Sequence, residues 1–145
     1  MTLDKCFEYY YNKENSIINE SSKYKCNNCN KNIFSCYKQI YLSPKILVII
    51  IDDVKKKGHL FKLPIKININ EYLIEKNGGY QLIGVLAYFK GIGMNEQYFA
   101  YCKSNEDENW YCCSDDCIYK INENGPIIEM ENRNRLPYIL FYTEK

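Results

Sequence analysis

Eight cysteines and a single histidine set the chemistry open to this chain of 145 residues. Cys26 and Cys29, in Cys-Asn-Asn-Cys, have the spacing at which two thiolates of a tight turn grip one zinc ion. A structural site needs four ligands. Cys36 or Cys6 offers a third, and no histidine lies near in sequence, so the zinc set is incomplete within the chain. Cys112, Cys113 and Cys117 form a second cluster, but neighbours on a strand point to opposite faces, so the three are expected as core and surface thiols. Cys6, Cys36 and Cys102 fall on amphipathic stretches and read as small core residues, not reactive thiols. Cysteine hydrolysis also needs a histidine to activate the thiol and a group to orient that histidine. The sole imidazole, His59, sits in the turn Lys57-Gly58-His59 and reads as a loop residue.

Composition narrows the classes. Hydrophobic residues make up 46% and aromatics 15%, with 15 Tyr, enough for a real core in a single domain over residues 1–145. Nineteen basic against 18 acidic side chains leave a net charge of +1, which offers no basic face for nucleic acid. The run Lys55-Lys56-Lys57 has no interleaved aromatics and reads as a solvated loop. Ile46 to Ile51 is apolar but far shorter than the roughly 20 residues that span a bilayer. Met1-Thr2-Leu3-Asp4 has no secretory pattern, so an intracellular location, cytoplasmic or nuclear, with reduced thiols is the expectation.

The elements that must position these groups are mostly strands. Thr2 can cap a helix whose Leu3, Cys6, Phe7 and Tyr10 form one apolar stripe. Residues 12–22 read as a polar loop. Ile33 to Leu42 alternates as a strand, and Ile46 to Ile51 reads as a central strand covered on both faces. Lys62 to Ile69 alternates again, and Glu71 to Glu75 fits one helical turn. Tyr80 to Phe89, Gln97 to Lys103, Trp110 to Cys113, Ile118 to Ile121 and Tyr138 to Tyr142 follow as strands, with Asn122 to Pro126 as a turn. The class is α+β, dominated by an antiparallel sheet.

Ordered pieces of this frame resemble the ubiquitin-specific proteases, a papain-like cysteine protease family. Thr2 to Phe7 resembles the helix start before the second zinc knuckle, and Tyr24 to Cys29 resembles that knuckle. Leu42 to Ile49 is similar to the "LPxxLxIxL" strand, and Leu63-Pro64 with Tyr72 to the "FP…Y" segment. Tyr80 to Leu86 is similar to "YxLxGVxxH", with Tyr88 where the strand often carries a histidine. Trp110-Tyr111 resembles "WYxFDD", and Tyr138 to Tyr142 resembles "AYxLFY". Asn95 to Lys103 resembles the histidine box Gly-Gly-His-Tyr-x-Ala-Tyr, with Gln97 at the histidine.

The resemblance covers Thr2 to Tyr142 and implies the palm and fingers, the C-terminal half of such a domain. The nucleophile box and the other zinc pair of the family are absent from the chain, which implies a fragment or a reduced homologue. Counting from Trp110 puts Ser114 at the acid that would orient the histidine, and Asp115 is a substitute one residue on. A glutamine amide does not titrate, so Gln97 cannot be a general base. Glu96 and Tyr98 flank the channel that in the family takes the slim ubiquitin tail, where glycines precede the histidine. The resemblance therefore implies an inactive domain that binds ubiquitin or a protein partner. The alternative is part of an active deubiquitinase whose nucleophile lies on another segment. A half domain is also expected to expose an apolar sheet face, and so to dimerise or take a partner there.

Overall fold

In a computed structural model the chain is described over residues 2–11, 17–18, 27–30, 34–35, 39–51, 63–75, 79–89, 91, 95–121 and 125–145. Helix α1 (Leu3–Tyr11) starts where the sequence predicts it. The Thr2 hydroxyl accepts the Lys5 amide at 3.5 Å, and the Thr2 carbonyl accepts the Cys6 amide. Two short strands, β1 (Ile17–Ile18) and β2 (Phe34–Ser35), pair with each other. The main sheet is built from β3 (Ile46–Ile50), β4 (Lys66–Asn68), β5 (Gly79–Phe89), β6 (Gln97–Lys103), β7 (Trp110–Ser114), β8 (Cys117–Lys120) and β9 (Leu136–Glu144). A second helix, α2 (Gly125–Asn132), precedes β9. The strand order is β3-β9-β5-β6-β7-β8, with β4 added to β5, and every pair is antiparallel.

The longest pairing, β5 with β9, is broken by two register shifts. Ile83 is the extra residue on β5, and Tyr138 the extra residue on β9. An inserted residue reverses which alternate positions face inward. Tyr80 and Leu82 are therefore buried before the first shift, and Val85 and Ala87 after it. From Val85 a single row crosses the sheet through paired positions: Ile49, Leu140, Val85, Tyr101, Cys112 and Tyr119. Its four middle residues are at most 1% exposed. Buried tyrosine hydroxyls then tie loops to this core. Tyr80 donates to the Pro44 carbonyl at 2.7 Å and Tyr142 to the Pro64 carbonyl at 2.8 Å. Each satisfies a polar atom that burial would otherwise strand.

Several expectations are corrected. Ile46 to Ile51 is not a central strand covered on both faces. Among the described residues β3 ends the sheet, and Ile46, Val48 and Ile50 are 48%, 49% and 61% exposed. A fully apolar run satisfies either a doubly covered strand or one whose second face is left open, and periodicity does not separate the two. Of the strand expected over Ile33 to Leu42, only Phe34–Ser35 is a described strand, and Ile40 makes a lone bridge to Leu73. The turn over Asn122 to Pro126 gives way at Gly125 to helix α2. Proline fits the first helical turn, where its missing N–H costs nothing. Asn134, at φ 53°, then ends the helix in the left-handed conformation asparagine tolerates. The helical turn expected at Glu71 to Glu75 is a 3-10 turn at Asn70–Tyr72. Cys102 is exposed and Cys6 half-buried, so neither is a core residue, whereas Cys112 is. Cys26, Cys36, Lys55 to Lys57 and His59 lie outside the described residues. No described helix is long and apolar enough to cross a membrane.

Replacing Leu140, which is 0% exposed, by alanine is expected to cost about 2–5 kcal/mol in urea unfolding. Ile118→Ala, at a side chain 74% exposed, is expected to cost less than about 0.5 kcal/mol. Burial, with Asp4 adding to it, pushes the Tyr142 hydroxyl far above the ordinary tyrosine value of 10.0. Below pH 10 both the folded and unfolded chains keep that proton, so this residue leaves stability unchanged there. As pH rises past 10 the unfolded chain loses the proton and the folded chain holds it, so stability falls. Alkaline denaturation of Tyr142→Phe against the parent chain measures this, and a less steep loss above pH 10 is expected.

Candidate functional site

Gln97 opens β6, where it pairs with Phe89 and is exposed. Ser114 closes β7 and pairs with Cys117 across the hairpin. The β6–β7 ladder ends at Ala100 opposite Cys113, and extending it sets Ser114 opposite Phe99. Alternation then places Gln97, Phe99, Tyr101, Cys112 and Ser114 on one face. Gln97 and Ser114 thus share one face of β6 and β7. Asp115 lies in the exposed two-residue turn beyond that face. An amide and a hydroxyl donate and accept hydrogen bonds, but neither carries a proton on and off near neutral pH.

Glu96 and Tyr98 belong to the opposite side of β6. Tyr98 pairs with Tyr88 of β5, and their rings are 5.7 Å apart. Tyr138, the extra residue of β9, extends the cluster at 6.2 Å from Tyr98. The Tyr88 hydroxyl donates to Glu96 Oε1 at 3.1 Å. The carboxylate next to Gln97 is therefore drawn back onto the tyrosines, in a bond that needs it as an acceptor.

The side chain that sequence reasoning missed is Arg135. It lies between α2 and β9, only 9% exposed, with its amide bonded to the Met130 carbonyl. Its Nη1 donates to the Tyr101 hydroxyl at 2.8 Å, to Cys112 Sγ at 3.4 Å and to the Tyr119 hydroxyl at 3.5 Å. The guanidinium carbon lies 3.3 Å from the centroid of the Phe99 ring, a stacking arginine favours. Tyr119 in turn donates to Glu129 of α2 at 3.1 Å, and Glu129 pairs with Arg133 at 2.5 Å. Burial acts against the Arg135 charge, but hydrogen bonds to Tyr101 and Tyr119 outweigh it and raise its pKa. Burial likewise pushes the Tyr101 hydroxyl far above its ordinary range, against the pull of Arg135. The face below Gln97 thus holds a fixed cation to which two protonated phenols are bonded. One basic residue just before an apolar strand was the only signal in the sequence.

The cysteines named as metal ligands fall only partly within the described residues. Cys29 is exposed in the turn over residues 27–29, and its partner Cys26 lies outside the description. No group of three His, Cys, Asp or Glu side chains among the described residues is placed to hold an ion. Cys112 faces the core, Cys113 pairs with Ile118 and Cys117 is exposed, so these three do not converge.

Arg135→Ala is expected to remove several bonds at once and open a cavity between α2 and the sheet, at a cost of about 2–4 kcal/mol. Arg135→Met fills most of that volume and is expected to recover at least about half of the loss. Urea unfolding of the two variants measures the difference, and equal losses would show that the cation, not its volume, holds the helix.

Residues 13–142 match the ubiquitin carboxyl-terminal hydrolase family. The chain is 30% identical over 139 residues to "Probable ubiquitin carboxyl-terminal hydrolase 16" of Schizosaccharomyces pombe, an overlap of 88% of this chain and 29% of that protein. It is 33% identical over 79 residues to "Ubiquitin carboxyl-terminal hydrolase 10" of Arabidopsis thaliana, an overlap of 52% and 8%. Among solved structures, the SAGA DUB module of Ubp8, Sgf11, Sus1 and Sgf73 bound to monoubiquitin matches with a TM-score of 0.74 at 23% identity. That match covers 99% of this chain and 33% of the other. The same module bound to ubiquitin aldehyde matches at 0.68 and 21%. The chain spans a third or less of the length of these relatives. The sheet and its two helices have the fold seen in the Ubp8 module, and the sequence match makes this chain a member of the ubiquitin carboxyl-terminal hydrolase family.

Proposed function

We propose that this ubiquitin-hydrolase-like domain is catalytically inactive and serves as a scaffold that binds ubiquitin or a partner protein. The observation that carries the reading is Gln97 at the head of β6, where the histidine box it resembles has its base. Ser114 at the orienting position and the Glu96 carboxylate tied to Tyr88 support it from two sides. The matched SAGA DUB structures contain ubiquitin and companion subunits, which supports either kind of ligand.

A second reading is favoured by length. The chain covers 29% of one relative and 33% of the matched solved chain, so a nucleophile-bearing half on another segment could complete an enzyme with it. The two readings separate in one assay. The chain is incubated with a fluorogenic ubiquitin substrate and a ubiquitin probe bearing a thiol-reactive C-terminus. No turnover above buffer and no adduct are expected. Turnover or labelling lost on changing a single cysteine overturns the inactive reading. When the nucleophile-bearing half of a relative is added in trans, the parent chain is expected to stay at least about a hundredfold below Gln97→His, the usual minimum for loss of a general base.

Zinc is proposed to be unnecessary to this fold, because Cys26 and Cys29 supply half of a four-ligand set. Elemental analysis is expected to give well under one equivalent of zinc per chain, with thermal unfolding unchanged by a chelator. A stoichiometric zinc whose removal unfolds the chain contradicts this.

A further inference from the structure

Cys112, Cys113 and Cys117 do not converge, but the sheet gives Cys113 a different thiol as neighbour. Within the β6–β7 ladder Cys102 pairs with Tyr111, and Ala100 pairs with Cys113. The Ser104 amide donates to the Asn109 carbonyl at 2.8 Å and closes the hairpin in that register. Alternation puts Ala100, Cys102, Tyr111 and Cys113 on one face, opposite Tyr101 and Cys112. Cys102 and Cys113 are therefore diagonal neighbours inside the ladder. Cys102 is exposed and Cys113 half-buried. Helix α2 packs on the other face, where Tyr119 bonds Glu129, and leaves this pair uncovered. The two thiols also sense each other. Partial burial first, and the charge of Cys113 second, hold the Cys102 thiol above its ordinary value of 9.0, and Cys113 is its hydrogen-bond partner.

No other described thiol shares this arrangement. Cys112 is buried on the opposite face beside Arg135. Cys117 pairs with Ser114, which sets it on the Cys112 side of the sheet. Cys6 is on α1, and Cys29 is in the turn over residues 27–29. Two thiolates make only half of a structural zinc set, so the pair is not a zinc site by itself. A raised pKa leaves Cys102 mostly protonated near neutral pH, which suits slow modification and not nucleophilic catalysis. What two neighbouring, accessible thiols can do unaided is join.

From this placement we infer that Cys102 and Cys113 are a redox modification site, a dithiol that a low-molecular-weight disulfide such as glutathione disulfide converts to a crosslink between β6 and β7. The exposed Cys102, as thiolate, attacks one sulfur of glutathione disulfide. A mixed disulfide forms, and the first glutathione leaves with the proton that Cys102 gave up. Cys113, deprotonated in turn, attacks the Cys102 sulfur. The Cys102–Cys113 bond forms, the bond to glutathione breaks, and the second glutathione takes the Cys113 proton. The protein thiols lose two electrons and two protons, and glutathione disulfide gains them. Diagonal Cα atoms stand about 7–8 Å apart, whereas a disulfide spans about 4.4–6.8 Å. The strands must draw together by about 1 Å, and a strained, exposed disulfide is one that thiols reduce readily. The crosslink is therefore reversible. It ties the strand that begins at Gln97 to the strand that ends at Ser114. This inference is independent of whether Gln97 has lost a catalytic role.

The test incubates the full, reduced chain with excess glutathione disulfide, blocks the remaining thiols by alkylation and maps the linkages by peptide mass spectrometry. A Cys102–Cys113 crosslink within one chain is expected, and excess reduced glutathione is expected to reopen it. Cys102→Ser and Cys113→Ser should each lose the crosslink, with the remaining thiol stopping at the mixed disulfide. Cys117→Ser should keep it. Phenylarsine oxide, which bridges paired thiols, gives a readout that needs no variant. It should shield Cys102 and Cys113 together from alkylation and leave Cys117 open. Glutathione retained on Cys102 while Cys113 stays free overturns the proposal. So does a crosslink that reaches Cys117 instead, one that forms only between chains, or alkylation of the pair at full rate with phenylarsine oxide present.

Discussion

One row of paired side chains carries the architecture: Ile49, Leu140, Val85, Tyr101, Cys112 and Tyr119, one from each of six strands. It exists only because Ile83 shifts the β5–β9 register, which brings Val85 onto the face that Tyr80 and Leu82 occupy earlier in the strand. Without that shift, the two ends of an eleven-residue strand would bury opposite faces. Everything else is placed relative to the row. Its Ile49 end forms the floor beneath α1, its Tyr119 end carries α2, and β6 projects past it to hold Gln97 at the sheet's margin.

The polar interactions near Gln97 are spent on structure. Arg135 binds the Tyr101, Cys112 and Tyr119 end of the row and stacks on Phe99, so it both fills and bonds the space between α2 and the sheet. Glu96 is engaged by Tyr88 on the other face. In a hydrolase, groups at such a margin must change protonation during each turnover. Here they are bonded in fixed states: a guanidinium that stays charged, and a phenol at Tyr101 that burial keeps protonated. These fixed states support the proposed scaffold reading. At the end of the sheet, among the described residues, β3 leaves Ile46, Val48 and Ile50 exposed.

Much of this fold was legible because strand alternation and helix capping are local. Gln97 to Lys103 is the strand the sequence predicts, residue for residue. Thr2 caps α1, and Tyr80 to Phe89 misses only the first residue of β5. What escaped was non-local. Gly125-Pro126 is as good a turn as a helix start, and only packing of Pro126 and Met130 against the sheet decides for α2. Ile46 to Ile51 looks the same whether its second face is covered or open. Arg135 looks like a surface charge until the fold gathers three acceptors and a ring around it. The resemblance to the ubiquitin-specific proteases was carried by the ordered strand motifs, and the family match over residues 13–142 agrees with it.

The proposed function keeps the sheet of a ubiquitin hydrolase without the proton transfer that hydrolysis needs. It is tested most directly by an NMR titration of ubiquitin bearing an isotope-labelled C-terminal extension with this chain. Shifts in the ubiquitin spectrum report binding, and the extension's own signals report cleavage. The account predicts that the extension stays attached for as long as it does in buffer, whatever shifts binding produces. Release of free extension at a rate proportional to the amount of chain would contradict it.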